Sequence, residues 1–240
     1  MFDNINIVLV NTSHPGNIGS SARAMGVMGF NKLSLVHPKD FPSEIATAMA
    51  VGCDKILDSA RVYLNLSDAL SESALNIGFS ARSRKESIPI LSVDKCIDKI
   101  VANNKITYNI VFGNEKNGLS NQELLMCDYI VNLPTAPFYS SLNLSAAVQI
   151  FTYELLKRSL DNSGSDVKSQ ENLILAKTKD KELFYKKLID LLKETDFITE
   201  KNTKSLTKKI HIMFNKAMLE QHEISILRGM LASIERKINT

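Results

Sequence analysis

The chain has 240 residues, 44% of them hydrophobic, and 29 Lys+Arg against 26 Asp+Glu give a formal net charge of +3. That length can bury one substantial core plus an appendage, and the longest apolar runs, such as Ile7-Val8-Leu9-Val10, are strand length, so a soluble globular protein is expected. Cys53, Cys96 and Cys127 are odd in number and widely spaced, and His14, His37, His211 and His222 show no metal-ligand spacing, which argues against a disulfide framework or a zinc site.

Met1-Phe2-Asp3-Asn4 begins without a charged leader and apolar signal segment, which predicts a cytoplasmic protein. Charge is uneven along the chain. Residues 1 to 160 hold 14 Lys+Arg and 14 Asp+Glu, residues 161 to 240 hold 15 and 12, so the whole basic excess is C-terminal. An excess of three is by itself weak evidence for a polyanion partner.

Ile5 to Val10 reads as an opening strand, followed by Asn11-Thr12-Ser13-His14-Pro15-Gly16-Asn17-Ile18-Gly19, a loop rich in turn formers. The next helix is expected to be capped by Ser20 or Ser21, with Ala22, Met25, Met28 and Phe30 inward and Arg23 on another face near the first turn. Lys32 to His37 forms a second strand ended by Pro38. Glu44 to Ala50 reads as a short helix closed by Gly52, Lys55 to Val62 could hold a short strand, and Ser67 to Glu72 is helical.

Leu75 to Phe79 is a strand that empties into Ser80-Ala81-Arg82-Ser83-Arg84-Lys85, a small-residue turn with three positive charges. Ser92 to Asn103 is helical, with Val93, Ile97, Ile100 and Val101 inward. Tyr108 to Phe112 is a continuous apolar strand, suited to a sheet covered on both faces. After Gly113-Asn114-Glu115-Lys116-Asn117-Gly118-Leu119, the spacing of Ser120 and Glu123 matches a capping box. Tyr129 to Leu133 is the last strand. Phe138 to Asn143 then runs as a polar loop into a helix whose Leu144, Val148, Phe151 and Leu155 bury one face as far as Leu160, with Ser140, Ser141 or Asn143 as N-cap. Unpaired backbone N–H groups at such a helix start suit a carboxylate or phosphate, although an ordinary capped helix has the same pattern.

Strands alternating with short helices predict an α/β domain over residues 1 to 160, a mainly parallel sheet with helices on both faces and ligand-binding turns at the strand C-terminal ends. Asp161 to Asp166 reads as a linker, a boundary that few contacts need cross. Beyond it three helices are striped by Leu183, Leu188 and Leu192; by Leu206, Ile210, Met213, Phe214 and Ala217; and by Ile224, Leu227, Leu231 and Ile234. Lys201, Lys204 and Lys208 share one face of the second. Residues 161 to 240 are thus expected to be a helical extension.

No phosphate-loop, dinucleotide or nucleophile-elbow signature occurs in the α/β half. Three separate loops do match a pattern. Asn11 with Asn17-Ile18-Gly19-Ser20-Ser21-Ala22-Arg23, Phe112 to Leu119, and Tyr139 to Ser145 resemble, in order, the three motifs of the SpoU branch of SPOUT RNA 2′-O-methyltransferases. Ser80-Ala81-Arg82-Ser83-Arg84, Asn215 to Glu220 and Ile226 to Leu231 are similar to the TrmJ subgroup, which methylates tRNA at nucleotide 32 of the anticodon loop.

The resemblance implies a sheet whose last segment threads a trefoil knot, S-adenosylmethionine as cofactor, no metal, tRNA as substrate and a homodimer packed partly through the helix after Asn143. It implies a cofactor pocket lined by Phe79, Ser80, Ala81, Gly113, Leu133, Ser140, Ser141 and Leu142. It further implies catalytic roles for Arg23, Asn17, Glu115, Ser141 and Asn143, and substrate contacts from Arg23, Arg82, Arg84, Lys201, Lys204 and Lys208. Lys116 and Asn117 stand where other members often have arginines. A ribosomal-RNA methyltransferase of the same branch is the nearer alternative, but such enzymes more often carry an extra domain at the N-terminus. A non-catalytic RNA-binding protein on this fold would be expected to lose Arg23 or Asn143, and both are present.

Overall fold

A computed structural model describes residues 2–81, 88–136, 138, 140–161 and 174–238. Seven described strands form one sheet: β1 (Ile5–Val10), β2 (Leu33–Val36), β3 (Arg61–Tyr63), β4 (Leu75–Phe79), β5 (Ile90–Leu91), β6 (Tyr108–Phe112) and β7 (Tyr129–Val131). Their order is β3-β2-β1-β6-β4-β7-β5, and every neighbouring pair is parallel. From β1 the chain steps outward through β2 to β3, then crosses to the other side of β6 for β4. A ligand is expected where the connections diverge, beyond the carboxyl ends of β1, β6 and β4.

Alternation within β1 explains the layering. Ile5, Ile7 and Leu9 face one core, with Ile18, Ala22 and Met25 of α1 (Pro15–Val27), Ile97 and Ile100 of α5 (Val93–Ala102) and Val148, Phe151 and Leu155 of α7 (Leu144–Asp161). Val8 and Val10 face the other, with Leu66 and Leu70 of α4 (Leu66–Leu70), Leu124 of α6 (Asn121–Leu125) and Ile212 of α9 (Thr203–Lys216). Helices α2 (Glu44–Ala50) and α3 (Asp54–Asp58) extend the first layer. Among the described residues no helix is long and apolar enough to cross a membrane.

Several local expectations are corrected. Helix α1 starts at Pro15, five residues before Ser20, and is capped by the His14 ring, which accepts from the Gly16 amide at 3.0 Å; proline with its fixed φ suits a first helical turn. Arg23 consequently lies in the second half of α1, not near its start. Residues 55 to 62 divide into α3 and β3 rather than one strand, and the two-residue edge strand β5 carried no pattern of its own. Leu160 is 59% exposed, so the buried face of α7 ends at Leu155.

The C-terminal stripes are borne out in part: Ile210 of α9 and Ile224 and Leu231 of the last helix are buried as expected, whereas the fully buried residues of the first are not the expected leucines. In α8 (Thr178–Glu194) Phe184, Tyr185 and Leu191 pack inward with Ile224 and Leu231 of α10 (Gln221–Ile238), while Leu183 is exposed, as are Met213 of α9 and Ile234 of α10. Lys201 precedes α9, so the three lysines do not share one helix face, and Lys208 is half-buried.

This helical unit is joined to the sheet by a buried polar seam, against the expectation of few crossing contacts. Lys181 Nζ lies 2.9 Å from Asp128 Oδ1, with both side chains buried, and donates to the Ala74 carbonyl at 3.2 Å. Asp128 Oδ2 accepts from the Asn76 amide, and the Asn76 side chain donates to Thr178 Oγ1 at 2.8 Å. Lys177 and Lys179 reach Glu72 at 2.9 and 2.7 Å on the surface. A buried lysine needs such a partner, because an unpaired charge removed from water costs several kcal/mol. Ile212 adds an apolar anchor on the second face of the sheet.

Candidate active site

The three loops singled out in the sequence meet at the carboxyl edge of the sheet. Asn11 ends β1 in the left-handed region, φ 53°, and turns the chain toward α1. Glu115, on the loop after β6, accepts from the Ser13 amide at 2.9 Å and the Ser13 hydroxyl at 2.8 Å. It also accepts from the His14 amide at 3.3 Å and Asn17 Nδ2 at 2.8 Å. The carboxylate therefore sits against the first turn of α1, where unpaired N–H groups and the helix dipole favour negative charge. Burial pushes the Glu115 carboxyl up, but donation from Asn17 and from the Ser13 amide and hydroxyl outweighs it and holds the net value below the usual range.

The loop carrying Glu115 is closed on itself. Gly118 donates to the Asn114 carbonyl at 2.7 Å with φ +65°, and Asn114 Nδ2 donates to the Asn11 carbonyl at 2.6 Å. Gly113 is required by this closure: a Cβ there would stand 2.2 Å from the Gly118 carbonyl carbon. Helix α6 follows with the expected capping box, Ser120 Oγ accepting from the Glu123 amide and Glu123 from the Ser120 amide.

Asn143 completes the cluster. Its Oδ1 accepts from the Ser145 amide at 2.9 Å and the Ser145 hydroxyl at 2.7 Å, capping α7, while its Nδ2 donates to Asn17 Oδ1 at 3.0 Å. Glu115, Asn17 and Asn143 thus form one chain of hydrogen bonds joining the loop after β6, the first turn of α1 and the cap of α7. Arg23 stands apart: it is exposed on α1, and among the described residues it has no acidic partner.

Beside this cluster opens a cleft of about 310 Å³ at the ends of β4, β6 and β7. Phe79, Ser80, Ala81, Gly113, Leu133, Ser140, Ser141 and Leu142 all line it. Phe79 and Phe112 stack at 4.6 Å and form an apolar wall backed by Phe151. Glu115 is on the lining; Arg23, Asn17 and Asn143 are not. Arg82 and Arg84 lie outside the described residues, as does Tyr139. Lys201 and Lys204 are exposed in the helical unit.

Ser13 and Thr135 were not singled out from sequence. The run Ser13-His14-Pro15 carried the signal for Ser13, since proline at the first helical position would have placed the Ser13 and His14 amides at a helix start, open to an acid. Thr135, on the irregular segment after β7, lines the cleft without any local pattern. Among the described residues no cluster of three His, Cys, Asp or Glu side chains is placed to hold a metal ion.

A parallel α/β sheet with an amide and carboxylate cluster beside a partly apolar cleft at its carboxyl edge has the form of a ligand-binding α/β domain. The chain belongs to the SpoU methylase family: the sequence model described as SpoU rRNA Methylase family matches residues 4–153, and that of the tRNA methyltransferase TrmJ C-terminal domain matches residues 179–240. The tRNA (cytidine/uridine-2′-O-)-methyltransferase TrmJ of Sodalis glossinidius is 42% identical over 236 residues, covering 98% of this chain and 92% of that protein. The tRNA (cytidine/uridine/adenosine-2′-O-)-methyltransferase TrmJ of Pseudomonas aeruginosa is 38% identical over 247 residues, covering 98% and 95%. The crystal structure of TrmJ from Z. mobilis superposes with a TM-score of 0.84 at 27% identity, over 96% of this chain and 98% of that one. The family expected from the three loops is therefore the family found.

Proposed function

We propose that this chain is an S-adenosylmethionine-dependent tRNA 2′-O-ribose methyltransferase acting at nucleotide 32 of the anticodon loop. The observation that carries the proposal is the Glu115–Asn17–Asn143 hydrogen-bond chain, which fixes the loop after β6, the start of α1 and the start of α7 beside one cleft. The residues present fit the cofactor: Phe79, Phe112 and Leu142 offer flat apolar walls for a purine, and Ser80, Ser140 and Ser141 offer polar groups for its ribose and amino-acid end. When bound, that cofactor supplies an electrophilic methyl carbon on a sulfonium leaving group.

The protein then has to place a ribose 2′-oxygen and stabilise its developing charge. Arg23 holds the phosphate next to the target ribose through its planar fork. A guanidinium is a permanent, delocalised cation, so it acts as an electrostatic group and not as a base. Glu115 is a loop anchor: its oxygens are occupied by Ser13, His14 and Asn17 donors. Asn17 and Asn143 orient the nucleotide, and Ser141 lies at the cleft beside them. Arg82, Arg84, Lys201, Lys204 and Lys208 are proposed to meet the surrounding tRNA.

The relatives named for cytidine and uridine support the tRNA substrate and the ribose position. A cytoplasmic location, the knot and a homodimer through α7 belong to the same proposal; exposed Ile150 and Tyr153 on α7 suit such an interface. Titration calorimetry tests the cofactor: S-adenosylmethionine is expected to bind, and heat from ATP or NAD without heat from the methyl donor would contradict the assignment. A monomer by light scattering at micromolar concentration would contradict the dimer.

A further inference from the structure

A second groove, of about 340 Å³, opens at the same sheet edge on the far side of the loop that carries Glu115. Its lining includes Asn11, His37, Leu64, Asn65, Gln122 and Met126. Asn11 and His37 directly follow the paired residues Val10 and Val36, and both adopt left-handed backbone, φ 53° and 47°. Two adjacent strands thus end by the same uncommon turn, which costs each non-glycine residue about 1 kcal/mol and is kept where the surrounding structure needs it.

The chemistry of the lining selects its ligand. No lysine or arginine lines the groove among the described residues, and its one acid is already committed: Glu123 accepts from Asn11 Nδ2 at 3.1 Å and from the Ser120 amide. A phosphate would find no counter-charge. By contrast, the side chains of His37 and Gln122 have no intramolecular hydrogen bond among the described residues, and both are exposed. Between these polar groups stand Leu64, 80% exposed, and Met126, 40% exposed. Unspent amide and imidazole groups around exposed thioether and aliphatic surface suit a neutral, flat ligand with donors and acceptors on its edge.

We infer that this groove receives the base of the target nucleotide, swung out of the anticodon loop; the inference rests on the tRNA methyltransferase reading above. The wall between groove and cleft is the pair Asn11 and Asn114, joined by the 2.6 Å hydrogen bond to the Asn11 carbonyl. Asn11 lines the groove and Asn114 lines the cleft. A nucleotide whose ribose lies across this wall presents its 2′-oxygen to one side and its base to the other. Leu64 and Met126 then pack on the base face, and Gln122 and His37 meet its hydrogen-bonding edge.

The test compares full-length tRNA bearing cytidine, uridine or a base-free ribose at nucleotide 32. The wild-type protein is expected to methylate the base-free RNA with kcat/KM at least about tenfold below the other two, because a site built to hydrogen-bond a group rejects the analogue lacking it. Gln122→Ala and His37→Ala are each expected to lower kcat/KM on the cytidine and uridine RNAs while leaving the base-free RNA and S-adenosylmethionine affinity unchanged. Equal losses on all three RNAs, or no loss on any, would overturn the base groove. Failure of the wild-type protein to methylate any of them would instead overturn the reading beneath it.

Discussion

Asn143 Nδ2 donates to Asn17 Oδ1 at 3.0 Å, joining the cap of α7 to the first turn of α1 across 126 positions of sequence. The same Asn143 uses its Oδ1 for the cap and its Nδ2 for the bridge, so the two functions are separable by substitution. Asn143→Asp keeps an acceptor at the helix N-terminus but loses the donor; Asn143→Ala loses both. The alanine variant is expected to lose about 1 kcal/mol of stability and the aspartate variant much less, while both lose methylation. Thermal unfolding alongside turnover checks it; equal melting temperatures for the two variants would remove the cap from the account.

Arg23→Lys keeps the charge and loses the bidentate fork. Methylation is expected to collapse while cofactor affinity stays nearly unchanged, since Arg23 does not line the cleft. Calorimetry and single-turnover rates measure the two halves. Near-normal turnover would take Arg23 out of the mechanism.

Glu115 ties pH to the site. A carboxylate whose folded-state pKa lies below its unfolded value contributes stability above the unfolded value and loses it as pH falls through the folded one. Glu115→Gln presents an NH2 group to donors from Ser13 and Asn17, so it is expected to melt below wild type at neutral pH. The gap should narrow as pH falls below the ordinary carboxylate range and through the lowered folded-state value, where the wild-type carboxylate takes up its proton. A gap independent of pH would show that the charge is not what anchors the loop.

Lys181→Met leaves Asp128 buried without its counter-ion, and is expected to cost roughly 3–5 kcal/mol. Adding Asp128→Asn should recover part of that loss. Chemical denaturation of the single and double variants decides; additive losses would mean that the pair is not coupled. By the same logic a chain cut after Leu160 is expected to be destabilised, because its end of the seam loses Thr178, Lys181 and Ile212 together.

The sheet was legible where strands are buried on both faces: Leu75–Phe79 and Tyr108–Phe112 are buried throughout and, apart from Asn76 and Asn109, apolar, and they stand where their composition places them. The cleft lining was legible only through the family resemblance: the loops after β6 and before α7 contribute to it, while Asn17 and Arg23 of the first motif do not. What escaped was set by distant partners. Lys181 reads as a surface lysine until Asp128 is brought beside it, and Leu183 reads as core until Phe184 and Tyr185 take the inward face of α8. His14 caps α1 through its ring, a role that helix-cap preferences for Ser, Thr, Asp and Asn do not suggest.

The central claim is met most directly by mapping ribose methylation, by mass spectrometry of nuclease fragments, in total RNA from a methylation-deficient host treated with the purified protein and S-adenosylmethionine. The account predicts a 2′-O-methyl group at nucleotide 32 of tRNA, absent when Arg23→Lys replaces the wild type. A methyl group found on a base, or on ribosomal RNA with tRNA untouched, would contradict it.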